Sequence, residues 1–115
     1  MPRTSIDEMS FGKVYSCLVA KAERKGKTRE EVELITSWLT GYTSEEIHRL
    51  EANGATYRAF FDDAPAWNEK AKEIKGSICG IKVEEIEDAF AWKYRCLDKL
   101  VDELAKGKAM EKILR

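Results

Sequence analysis

Apolar positions along this chain recur at helical spacing almost throughout. Phe11, Val14, Tyr15, Leu18, Val19 and Ala22 step through i, i+3, i+4, i+7, i+8 and i+11, a single amphipathic stripe. Ser10 is a suitable N-cap and Gly26 a suitable left-handed stop, so the pattern predicts a helix over residues 10–25. Thr28 and Glu31 have capping-box spacing and open a second helix whose buried side is Val32, Ile35, Trp38 and Leu39, ending at Gly41. Thr43 and Glu46 repeat the device before Ile47 and Leu50, with Gly54 as the stop. Shared capping chemistry accounts for this echo without an internal repeat, because the surrounding residues do not match.

Thr56 can cap a short helix carrying Tyr57, Phe60 and Phe61, which Asp62, Asp63 and Pro65 then break. Asn68 is expected to open another through Ala71, Ile74 and Ile78, weakened at Gly76 and closed by Gly80. Ile81 to Val83 alternates too briefly to establish a strand. The longest element follows Asp88: Phe90, Tyr94, Leu97, Val101 and Leu104 step by 4, 3, 4 and 3, Leu100 widens the seam, and Gly107 ends it. Lys99–Glu103 and Asp102–Lys106 are spaced as i, i+4 pairs. Met110, Ile113 and Leu114 predict a final turn folded back on the body. The expected fold is all-α: a compact, non-parallel (orthogonal) bundle of five or six helices in one domain, residues 1–115, with 1–9 a loosely ordered arm.

Composition narrows the function classes. A chain that is 43% hydrophobic has enough core-forming residues to fold despite being 36% charged. Twenty basic against twenty-one acidic side chains leave a net charge of −1, which disfavours nucleic acid and an acidic membrane surface as partners. No apolar run reaches the ~18 residues of a membrane span, and the opening residues 1–5 lack the apolar core of a signal peptide. Cys17, Cys79 and Cys96 are odd in number and form no C-x-x-C pair, so they are read as buried, reduced thiols in a cytoplasmic protein.

Several runs occur together in a recognisable order: FGKVY at 11–15, AKAERKG at 20–26, WLTGY at 38–42, APA at 64–66, ICG at 78–80 and VEEIED at 83–88. The closing run LDKLVDELAKGKAMEKILR at 97–115 completes the set and is its most specific part. Together they resemble a bacterial family known as domain of unknown function 2200, over residues 9–115. The resemblance implies a compact multi-helix fold and carries no activity or site residue with it. Members often have proline where this chain has Ser16, Glu69 and Ala89. Proline suits a first helical position, which favours a helix starting at Ala89; at position 16 it would kink the first helix.

Each chemical candidate has a structural alternative. Glu84, Glu85, Glu87 and Asp88 have the oxygens for a divalent cation, yet acids also belong at a helix N-terminus; no metal or cofactor is expected. His48, the single histidine, suits a general base but reads as a surface residue. Cys79 lies between glycines, with Lys75 and Lys82 as charges to activate it and Ile78 and Ile81 as reasons for burial. Residues 28–51 have helix-turn-helix form, but Glu45, Glu46 and Glu51 against Arg49 would repel phosphates. The aromatic middle of the chain is either core or an anchor surface, with Trp67 expected to be partly exposed.

The leading reading is therefore a non-enzymatic interaction module or homodimer, using the aromatic middle or an apolar tail of Met110, Ile113 and Leu114. The first alternative is a small-ligand protein or enzyme with a pocket among Trp38, Tyr42, Trp67, Lys75 and Cys79. The second is a nucleic-acid binder through residues 28–51.

Overall fold

The computed structural model describes residues 6–78 and 80–114, and these are mostly helical. Six α-helices appear among the described residues: α1 (Phe11–Glu23), α2 (Arg29–Thr40), α3 (Ser44–Ala52), α4 (Tyr57–Asp62), α5 (Ala89–Ala105) and α6 (Met110–Ile113). Their starts follow from the caps. The Thr28 hydroxyl accepts from Glu31 N while the Glu31 side chain accepts from Thr28 N, and Thr43 with Glu46 does the same for α3. Ser10, Thr56 and Asp88 cap α1, α4 and α5 through their side-chain oxygens. Ser10 and Thr56 face each other across an isolated β-bridge, which sets the starts of α1 and α4 side by side. α1 is unbroken at Ser16, whose hydroxyl donates to Lys13 O.

α5 packs against α1, α2, α4 and α6, with its seam Phe90, Leu97, Leu100, Val101 and Leu104 buried. Aromatic rings fill the space between α1, α4 and α5: Phe11 stacks on Phe60 at 4.0 Å, and Tyr57 packs edge-on against Phe61 at 4.9 Å. Gly12 lets α1 approach α3 closely, since a Cβ there would lie 2.8 Å from Glu51 O.

Asp102 and Glu103 are buried on α5, and both are paired. Lys21 and Lys106 reach Asp102 at 3.2 and 3.0 Å, and Lys108 reaches Glu103 at 3.4 Å. Lys99 donates instead to the Ser77 carbonyl, tying α5 to the segment before it. Burial pushes the Asp102 carboxyl up, but the Lys106 and Lys21 ammonium groups outweigh it and hold it below the usual range.

Two expectations need correction. The helix expected to open at Asn68 is a five-residue 3₁₀ turn (Glu69–Glu73) followed by a hairpin, Ser77–Ile78 (β1) with Ile81–Lys82 (β2). Among the described residues of 68–80 only Ala71, Ile74 and Ile78 are buried, too few for a helical stripe, and Gly76 at φ +114° turns the chain out of helix. Cys96 is buried, but Cys17 is exposed, because position 17 lies off the apolar stripe of α1. The expected arm over 1–9 falls partly outside the described residues; its last part, Ile6–Glu8, is a 3₁₀ turn, and Met9 O accepts from Tyr57 N. Ile113 is wholly buried against its own chain, with Met110 and Leu114 half-buried beside the core, so the last turn folds back on the body as expected.

Candidate interaction face

The loop at 64–68 owes its position to the end of α2. A helix leaves its last carbonyls without intrahelical donors. Here Asn68 Nδ2 donates to Trp38 O at 3.1 Å, Asn68 N to Leu39 O at 2.9 Å and Ala66 N to Thr40 O at 3.0 Å. Gly41, at φ +85°, closes the helix and lets Ala66 lie against it; a Cβ at 41 would sit 2.6 Å from Ala66 Cβ. The loop is thus fixed at the C-terminal end of α2, with Pro65 and Ala66 exposed.

Trp67 follows, half-buried. Its ring meets Phe61 edge-on at 6.2 Å and Trp92 of α5 at 5.6 Å, and Lys93 Nζ lies 5.4 Å from its centroid. The Trp67 Nε1 atom is buried with no hydrogen-bond partner among the described residues, where ring contacts hold the indole. Trp92 is also half-buried. Trp38 is half-buried on α2, and Leu34, one turn before it, is 50% exposed. Partly exposed apolar groups thus stand on α2 (Leu34 and Trp38), on the loop (Pro65, Ala66 and Trp67) and on α5 (Trp92).

The other candidate residues are not drawn together. Tyr42 is core: its ring stacks on Phe60 at 4.8 Å, its hydroxyl donates to Phe60 O at 2.7 Å, and burial pushes its pKa up to about 12. Lys75 is exposed before the hairpin, and Cys79 lies outside the described residues. Among the described residues no pocket opens, so the small-ligand alternative has no cavity there. Those residues also contain no cluster of three or more acids, histidines or cysteines placed to hold a metal. Asp88 caps α5, Glu84 accepts from Gly76 N at 3.1 Å, and Glu85 lies 3.9 Å from Lys82.

His48 is exposed on α3, but it is not isolated. Its Nε2 lies 2.7 Å from Glu33 Oε2, and Arg29 Nε donates to that same oxygen at 2.7 Å. Arg29 also pairs with Glu51 and lies over the Tyr15 ring at 5.7 Å. Burial pushes the Glu33 carboxyl up, while hydrogen bonds from His48, Arg29 and Ser44 more than offset it and hold it below the usual carboxylate range. This cluster joins α2 to α3 and leaves Glu45, His48 and Arg49 as the outward polar groups of α3. Such a surface has no excess of positive charge for phosphates.

Sequence reasoning missed Trp92, Lys93 and Leu34. A signal for Trp92 was present: it stands off the seam of Phe90, Tyr94 and Leu97, where a large aromatic side chain is not needed to fill the core.

The family described as an uncharacterized protein conserved in bacteria, DUF2200, matches residues 5–115. The chain belongs to this family. The DUF2200 chain is also similar to a solved structure, the crystal structure of uncharacterized protein SP1917, at 43% identity and a TM-score of 0.91. That match covers 98% of this chain and 94% of the other. Comparison with curated proteins finds no match. No helix among the described residues of this DUF2200 protein is long and apolar enough to cross a membrane.

Proposed function

We propose that this DUF2200 protein is a non-enzymatic interaction module that docks a protein partner on the face from Leu34 to Trp92. The observation that carries the reading is the adjacent pair Trp67 and Trp92, both half-buried, on a surface without a pocket among the described residues. Tryptophan is enriched among the few residues that dominate binding energy, because a large rigid ring loses water with little entropy cost. The module works in the cytoplasm, a placement supported by the exposed thiol of Cys17.

The test is a photo-crosslinking amino acid placed at Leu34 or Ala66, with Lys13 on the outer side of α1 as control. In the bacterium that makes the protein, positions 34 and 66 should give a discrete crosslinked species, identifiable by mass spectrometry, that position 13 does not give. Equal, diffuse crosslinking from all three positions would remove this face from consideration.

A further inference from the structure

The partner's identity can be taken further, on the strength of that docking reading. We propose that the occupant of this face is a second copy of the same chain, in a two-fold symmetric pair.

Charge is segregated along the sequence. Residues 44–88 carry eleven acidic against six basic side chains, and residues 89–115 carry seven basic against four acidic. The face draws Trp67 from the first segment and Trp92 from the second, with Leu34 and Trp38 in neither. Trp67 comes from the acidic one, flanked by exposed Asp62, Asp63 and Glu69, while Trp92 is followed on α5 by Lys93. Across a two-fold axis each patch meets its own image, so a single-sign patch would repel itself, whereas one with both signs can pair with its copy. The net charge of −1 leaves no long-range repulsion between copies.

A stable interface takes ~800 Å² from each partner, about an eighth of the 6648 Å² surface here. Two half-buried indoles cannot supply that area, so the pairing also takes in Leu34, Trp38, Pro65 and Ala66 on α2 and the loop. The docking is closed and self-complementary.

Sedimentation velocity on the full chain, from about 1 to about 100 µM, tests this directly. The expected result is a dimer whose fraction rises with concentration and which weakens about tenfold or more in Trp92→Glu. Lys93→Glu and Glu69→Lys should each weaken it, and mixing those two variants should restore a mixed dimer, since each then supplies the charge the other lacks. Circular dichroism identifies any variant that fails to fold, and the two surface-charge variants keep the test usable if Trp92→Glu does. Wild-type monomer throughout, or a dimer indifferent to all three substitutions, overturns the inference. A monomer whose face crosslinks to a different protein overturns the self-pairing and leaves the docking reading standing. A monomer that crosslinks to nothing overturns both.

Discussion

Gly41 carries two constraints at one residue: a left-handed backbone and a neighbour where a side chain would go. An L-residue in that conformation costs roughly 1–2 kcal/mol, and overpacking adds about 1–3 kcal/mol. Gly54 has a similar φ of +77°, but a Cβ there would meet nothing within 4 Å, so only the first cost applies. Gly41→Ala should therefore destabilise by ~2–5 kcal/mol and Gly54→Ala by ~1–2 kcal/mol in urea unfolding. Equal losses would mean the loop at 64–68 moves aside freely. The tyrosines give a second paired comparison. The Tyr57 hydroxyl is buried without a partner among the described residues, and burial raises its pKa well above the usual value; the Tyr42 hydroxyl donates to Phe60 O. Tyr57→Phe should be neutral or stabilising by up to ~1 kcal/mol, while Tyr42→Phe should cost about 1 kcal/mol. A loss above ~1 kcal/mol in Tyr57→Phe would establish a bond to that hydroxyl.

At the scale of elements, α2 and α3 are joined by charge as well as packing. Glu33 accepts from Arg29 and His48, and its folded pKa lies below the ordinary carboxylate value. A depressed acid contributes stability that is present above its unfolded pKa and lost as pH falls through the folded one. Stability should thus decline below the ordinary carboxylate range, and Glu33→Gln should cost about 1–2 kcal/mol at neutral pH and flatten that decline. Urea midpoints at about pH 7 and about pH 3 provide the check; an unaltered difference between them would sink the assignment. Helix ends were legible in the sequence because caps and glycine stops act within four residues: Thr28 with Glu31, Thr43 with Glu46, and Gly26, Gly41, Gly54 and Gly107 at positive φ. Glu33 meeting His48 and Trp67 meeting Trp92 were not legible, since fifteen and twenty-five residues separate them and only helix packing sets their distance. The helix expected after Asn68 failed for a local reason: Gly76, at φ +114°, turns the chain out of helix before a stripe can build up.

On the scale of the whole molecule, the question is whether the chain closes its own core. Ile113 decides it, because the last turn either covers the body it grew from or belongs to a neighbour. In this fold it has no exposed surface, and Leu114 N donates to Met110 O to complete the turn. α6 packs on α5, so the chain's end seals the helix on which α1, α2 and α4 also rest. Removing most of that side chain should leave a cavity and cost ~2–4 kcal/mol, a drop of several degrees in Tm for a domain of this size. The informative variable is protein concentration. If the contact lies within one chain, Ile113→Ala loses the same free energy at every concentration, whether or not copies pair through the tryptophan face. If the tail instead crossed between copies, wild-type stability would itself fall on dilution and the cost of Ile113→Ala would shrink with it. Thermal unfolding of both proteins over a roughly hundredfold dilution separates the two, and parallel curves are expected.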